Sequence, residues 1–145
     1  MPLFDHLGLT ITDLDRAVVQ WDPVLRALGL ETDGRELEGG IAWSNEHDTE
    51  LILYRASDPR AEHHSVGRVG WQHLAFALES RAEVDRLHQI AVQAGWASIR
   101  EPKVFPRFSE RYYASFVEDE NGIRLEFMHN PPRTDLTTAN EGDNA

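Results

Sequence analysis

The sequence predicts an α+β protein built from two βαβββ modules, and three observations predict it. A strand bearing a histidine and followed by a capped amphipathic helix occurs twice, at His6 and again at His73, 67 residues apart. The caps, Asp13 and Ser80, keep the same interval of 67, and the helix-ending glycines, Gly29 and Gly95, are 66 apart. Short strand-like segments follow each helix. Repetition at one interval marks a duplicated supersecondary unit, and only two copies fit, which excludes a solenoid or propeller. Two open sheets, each curved and backed by a helix, bury one face of every element.

The elements follow in order. Phe4 to Thr12 alternates Phe4, His6, Gly8 and Thr10 with Leu7, Leu9 and Ile11, a strand pattern. Asp13 caps a helix from Leu14, whose Leu14, Val18, Trp21, Leu25 and Leu28 recur at helical spacing. Pro23 predicts a kink or break near Asp22, and Gly29 ends the helix. Strands are predicted at Leu30–Glu36, Ile41–Asn45 and Glu50–Arg55, with Gly39-Gly40 and His47-Asp48 as turns. Residues 56–69 read as a linker. Trp71–Leu78 is the second histidine-bearing strand. Ser80 then caps a helix with Val84, Leu87, Ile90, Ala91 and Ala94 on its apolar face, ended by Gly95. Strands at Ala97–Arg100, Tyr112–Glu118 and Ile123–His129 close the second module around a hairpin turn at Asp119–Gly122. The expectation is a single domain over 1–130, with module one at 3–56 and module two at 70–130. Residues 131–145 hold a single leucine and are expected to be a disordered acidic tail.

Composition narrows the functions. Fourteen basic against 25 acidic residues give a net charge of -11, which repels phosphate backbones and predicts no nucleic-acid partner. No apolar run approaches the roughly 20 residues that cross a bilayer, so no membrane role is predicted. The opening Met1-Pro2-Leu3-Phe4-Asp5 lacks the basic and apolar regions of a signal peptide, so a cytoplasmic location is expected. The absence of cysteine excludes disulfides, thiolate zinc sites, iron–sulfur clusters and cysteine nucleophiles. Any metal must be held by imidazole and carboxylate, a donor set suited to zinc, nickel, iron, manganese or cobalt.

The segments FDHLGLTITDLDRAVVQW and WQHLAFALESRAEVDRLHQIAVQAGW resemble the opening strand and helix of the two modules in the vicinal-oxygen-chelate superfamily, which includes glyoxalase, bleomycin resistance protein and dioxygenases. SFVEDENGIRLEFM resembles that superfamily's closing hairpin. The likeness runs from Phe4 to His129. It implies curved mixed sheets around a cavity and one divalent metal ion held by His6, His73 and Glu126. A last-strand ligand from module one would fall within Glu50–Tyr54. Aligning strand ends puts Ile52 opposite Glu126, whereas a slide of two residues puts Glu50 there. Strand parity is the same for both and does not decide.

Two imidazoles and one carboxylate leave metal positions open for a substrate with neighbouring oxygens, whose developing oxyanion a Lewis acid stabilises. Glu50 is the candidate fourth ligand or base, and Tyr113 the candidate catalytic phenol. Trp43, Arg107 and Tyr112 are candidate substrate contacts, the last two from the aromatic and basic segment Phe105–Tyr113. Tyr112 and Tyr113 must face opposite ways if both lie in a strand. His63-His64 read as linker surface, Trp21 and Trp96 as packing, and His47, His88 and His129 carry no assigned role.

The function expected is a divalent-metal-dependent enzyme acting on a small oxygen-rich or aromatic metabolite by lyase or isomerase chemistry. An extradiol-type dioxygenase ranks lower, because those relatives usually carry four modules and many have a tyrosine where this chain has Phe116. A metal-free binding protein of the bleomycin-resistance kind is the other alternative, followed by an interaction module with no ligand. Resemblance to single-pair members implies a homodimer, and open edge strands give a physical reason for pairing.

Overall fold

The computed structural model describes residues 3–47, 49–58 and 62–133. The predicted tail lies outside them beyond Arg133, as does Asp48 of the expected His47-Asp48 turn. The elements are β1 (His6–Ile11), α1 (Leu14–Ala27), β2 (Gly40–Ser44), β3 (Glu50–Arg55), β4 (Leu74–Ala77), α2 (Arg81–Gln93), β5 (Ala97–Val104), β6 (Tyr113–Glu118) and β7 (Arg124–His129). Module one forms a three-stranded sheet of order β1-β3-β2, and module two a four-stranded sheet of order β4-β7-β6-β5. In each, the first strand runs parallel to the last, and the other pairings are antiparallel. Among the described residues, no helix is long and apolar enough to cross a membrane.

The helices start and stop where the sequence signals them. Asp13 accepts from Arg16 N at 3.1 Å, and Ser80 accepts from Glu83 N at 3.1 Å, each satisfying an orphan donor of the first turn. Gly29 and Gly95 follow the two C-caps at φ +88° and +100°, a conformation that disfavours any residue with a Cβ. The break expected near Asp22 does not occur, because α1 continues through Pro23 to Ala27. Pro23 lies on the exposed side of the helix, as does Val19, whose carbonyl loses its i+4 donor. An exposed carbonyl of this kind can hydrogen-bond to solvent.

Module one departs from the prediction in one strand. Leu30–Glu36 contributes only the isolated bridge Glu31↔Ser44. The side chain of Thr32 accepts from Gly34 N, and that of Asp33 from Arg35 N, so local turns take the hydrogen bonds a ladder would use. In module two, β4 begins after His73 rather than before it, and β5 extends to Val104 with two register irregularities.

The two modules share one core. Trp21 and Trp96 meet edge to face with centroids 4.7 Å apart. Trp96 Nε1 donates to Gln20 O at 2.8 Å, and Gln20 Nε2 donates to Gly95 O at 2.9 Å. The hairpin turn 119–122 is part of this junction. Trp21 Nε1 donates to Asp119 Oδ2 at 3.0 Å, while Thr12 N and Oγ1 donate to Asn121 Oδ1 at 3.0 and 2.8 Å. Side chains such as Leu14, Leu25 and Leu87 are fully buried around it, each contributing about 1.5–3 kcal/mol.

Candidate functional site

Alternation divides every strand between the helix-covered core and an open face. On β1, Leu7, Leu9 and Ile11 pack into the core, while His6, Gly8 and Thr10 are exposed on the other side. On β3, Leu51 and Leu53 are buried, which leaves Glu50, Ile52 and Tyr54 on the open face. On β7, Leu125 and Phe127 are core residues, so Arg124, Glu126 and Met128 face outward from the helix.

Register decides which residue of module one stands where Glu126 does in module two. Glu126 pairs with Ala75, two residues after His73. The equivalent position after His6 is Gly8, and its partner is Ile52. Glu50 pairs directly with His6 instead. Module one therefore carries an apolar residue at the Glu126 position and a carboxylate one non-adjacent pair away.

Two of the three residues expected at a metal ion meet within the chain. His73 Nε2 lies 3.4 Å from Glu126 Oε1, and the Glu126 side chain is only 4% exposed against 36% for His73. Tyr112 donates to the other carboxylate oxygen, Oε2. Burial, then the Glu126 hydrogen bond, raises the Tyr112 phenol well above its ordinary range, so it stays a protonated donor. An aromatic wall surrounds this corner. Phe116 meets the His73 ring edge-on at 5.6 Å, Phe105 lies 5.8 Å from Phe116, and Phe108 lies 5.2 Å from Tyr112. Arg107 stacks over Phe108 at 4.9 Å on the rim. A cleft of about 280 Å³ adjoins His73, lined by Leu7, Leu9, Val69, Trp71 and Leu74 among others.

His6 stands on the other sheet. Its Nδ1 pairs with Asp5 Oδ1 at 2.5 Å, and that hydrogen bond raises the imidazole above its ordinary 6.5, with Glu50 adding to the effect by charge. Among the described residues, no group of three or more histidine, aspartate or glutamate side chains is placed to hold one ion. β1 and β4 belong to different sheets with no ladder between them.

The remaining residues named from the sequence divide by face. Tyr113 lies on the helix side of β6, where its phenol donates to Asp85 Oδ1 at 2.6 Å and Arg81 covers its ring at 5.1 Å. The tyrosine beside Glu126 is Tyr112. Trp43 is fully buried and donates to Asp22 Oδ1 at 2.8 Å, so it is a core residue beneath α1. The sequence alone does not single out Asp5 and Gln72. Gln72 Oε1 pairs with Nδ1 of His73 as Asp5 does with His6. Their shared position, one residue before each repeated histidine, was the available signal.

The donor pair fits a divalent ion. Two ligands at about 2.0–2.2 Å from one tetrahedral ion lie about 3.4 Å apart, and His73 and Glu126 meet that separation with a nitrogen and a carboxylate oxygen. Tyr112 occupies Oε2 and leaves Oε1 available.

Comparison with known proteins places the chain. Residues 3–127 match the model of the Glyoxalase/Bleomycin resistance protein/Dioxygenase superfamily. A Bacillus subtilis protein of uncharacterised function, YqjT, is 28% identical over 125 residues, covering 85% of this chain and 95% of its own. The uncharacterised Pseudomonas aeruginosa protein PA2024 is 29% identical over 136 residues, covering 90% and 91%. A crystal structure from Bacillus halodurans superposes with TM-score 0.74 at 27% identity, over 88% of this chain and 95% of that one. A glyoxalase/bleomycin resistance protein from Albidiferax ferrireducens shares the fold at TM-score 0.72 and 20% identity, over 90% and 100%. The chain belongs to the Glyoxalase/Bleomycin resistance protein/Dioxygenase superfamily.

Proposed function

We propose that this superfamily member is a divalent-metal-dependent enzyme that acts on a small oxygen-rich or aromatic metabolite by lyase or isomerase chemistry. The observation that carries the reading is the 3.4 Å approach of His73 Nε2 to Glu126 Oε1, a nitrogen–oxygen pair at the bite of one ion on a buried carboxylate. His73 and Glu126 would hold the ion, with His6 supplied by a second copy of the chain in a homodimer. Glu50, paired with His6 across β1 and β3, would arrive with it as a fourth ligand or as the base that moves a proton. When bound, the ion supplies Lewis-acid stabilisation to a developing oxyanion.

This chain's own residues do the rest. Tyr112 holds Oε2 of Glu126, which keeps the carboxylate from swinging toward solvent. Phe105, Phe108 and Phe116 keep water from one side of the corner and offer ring edges and faces to a planar substrate. Arg107, at the rim over Phe108, would meet a substrate carboxylate.

A second reading is favoured by the same aromatic wall: a metal-free protein that sequesters a planar small molecule. The two separate on metal uptake. Zinc, nickel, cobalt, manganese and iron(II) are each titrated into chelator-treated protein, with bound metal and melting temperature recorded. The enzyme reading expects about one ion per chain for at least one metal, a rise in melting temperature, and loss of both in His6→Ala, His73→Ala and Glu126→Gln. Uptake below about a tenth of an equivalent, with no thermal shift for any metal, sinks it. Sedimentation of the wild-type protein tests the homodimer.

A further inference from the structure

We propose that Asp5 and Gln72 are positioning residues that fix the tautomer of the two repeated histidines. Each holds Nδ1–H on the ring that follows it, so that Nε2 presents its lone pair to the open face. The purpose of this device rests on the metal reading above, but its geometry does not.

The chemistry of the partners sets the tautomer. His6 Nδ1 lies 2.5 Å from Asp5 Oδ1, and His73 Nδ1 pairs with Gln72 Oε1. A carboxylate oxygen and an amide oxygen only accept hydrogen bonds, so the ring nitrogen facing each must be the donor. A neutral imidazole carries one hydrogen, and placing it on Nδ1 leaves Nε2 as the acceptor or ligand atom. Nε2 of His73 faces Glu126 Oε1 at 3.4 Å but makes no hydrogen bond to it, so the Gln72 contact is the one that fixes the ring hydrogen. Among the described residues, no hydrogen bond occupies Nε2 of His6.

Chain geometry explains why a neighbouring residue can do this. Within a pleated strand, consecutive side chains point to opposite faces and cannot meet. His6 is the first residue of β1, and His73 immediately precedes β4. Asp5 and Gln72 thus lie before the ladder, where the backbone is free to bring each side chain round to its neighbour. The same offset, the same ring nitrogen and the same strand entry occur in both modules, although one acceptor is charged and the other neutral. A surface histidine without such a partner interconverts between tautomers, and a metal must then select one. An oriented Nδ1–H removes that cost, and loss of such outer partners weakens metal affinity about 10–100-fold.

The test is long-range proton–nitrogen NMR on protein carrying 15N-histidine, stripped of metal, at about pH 8 where imidazole is neutral. Signals are assigned by their disappearance in His6→Ala and His73→Ala. The expected result is the Nδ1–H pattern for both rings in the wild type. Asp5→Ala should move only His6 toward a mixture of tautomers, and Gln72→Ala only His73. Asp5→Asn, which keeps an acceptor oxygen, should retain the wild-type pattern. The other five histidines act as a check that each variant is folded. An Nε2–H pattern at either ring in the wild type overturns the proposal, as does a pattern unmoved by Asp5→Ala and Gln72→Ala. Zinc titration of the same samples keeps the two readings apart. Tautomers that respond as expected without zinc uptake uphold the positioning role, and the metal reading is overturned when nickel, cobalt, manganese and iron(II) also fail to bind. Where zinc binds, each alanine variant should weaken it about 10–100-fold.

Discussion

Tyr112 donates its phenolic hydrogen to Oε2 of Glu126, the carboxylate whose other oxygen stands 3.4 Å from His73 Nε2. The buried glutamate is therefore gripped on one side and open to a partner on the other. Tyr112→Phe keeps the ring in the aromatic wall and removes only the hydroxyl. Leaving a charged, buried acceptor short of one donor costs about 1–3 kcal/mol. A fall of that size in urea-unfolding stability is expected, with the far-ultraviolet circular dichroism unchanged. Stability equal to wild type would show that the phenol does not hold Glu126.

Asp119 ties the closing hairpin to the first module. Its two oxygens accept from Trp21 Nε1, Asn121 N, Asn121 Nδ2 and Ile123 N at 2.8–3.1 Å, and the residue is 6% exposed. Asp119→Ala strands those donors in a core shared by both modules, at a cost of about 3 kcal/mol or more. Trp21→Phe loses the same indole bond from the other end. In a double-mutant cycle the two changes should fall short of additivity by about 1–3 kcal/mol. Strict additivity would show that the Trp21–Asp119 bond does not couple the modules.

The repeat made much of this legible in advance. Both helices and their caps, the closing hairpin and the strand positions of His6 and His73 follow from periodicity and capping chemistry, which are local. Faces were harder. The sequence suggests Trp43 and Tyr113 as site residues, yet each lies on the helix-covered side. Parity says only that neighbours oppose, not which face a helix will cover. For the tyrosine pair, the uncertainty resolved in favour of Tyr112 at Glu126. The ambiguity between Glu50 and Ile52 is a register question, and register is set by pairing across a sequence separation of 44, from His6 to Glu50. The strand expected at Leu30–Glu36 failed for a local reason, the competing turns at Thr32 and Asp33. His6 stands apart from His73 and Glu126 because the duplication fixes equivalence, not proximity.

The linker between modules is docked against the same hairpin, which makes Gly122 sensitive. Its φ is +82°, and a Cβ there would run into the backbone carbonyl of His64. His64 N in turn donates to Asn121 O at 2.7 Å. Gly122→Ala should cost about 1–3 kcal/mol through the strained backbone. It should also speed hydrogen exchange at the His64 amide by pushing the linker off the turn. Exchange there as slow as in the wild type would mean that the linker tolerates the added methyl in place.

His88 gives the fold a pH dependence whose sign can be worked out. The residue is 5% exposed, on the buried face of α2, and its Nδ1 has no hydrogen-bond partner. Burial lowers its pKa below the ordinary 6.5, and it outweighs the opposing pull of Glu101, 3.4 Å from Nε2, and of Asp85. Above about pH 6.5 the imidazole is neutral whether the chain is folded or not, and its full contribution to stability is present. As pH falls through that value the unfolded chain binds a proton that the folded chain does not, so stability drops. The loss stops below the depressed folded value, where both states are protonated. Urea midpoints for the wild type should therefore fall from about pH 8 to about pH 5 more steeply than for His88→Gln, which cannot take up the proton. His6, raised by Asp5, acts in the opposite sense and is present in both proteins, so it cancels in the comparison. Parallel pH profiles for the two proteins would show that His88 is protonated equally easily folded and unfolded, and that burial does not govern it.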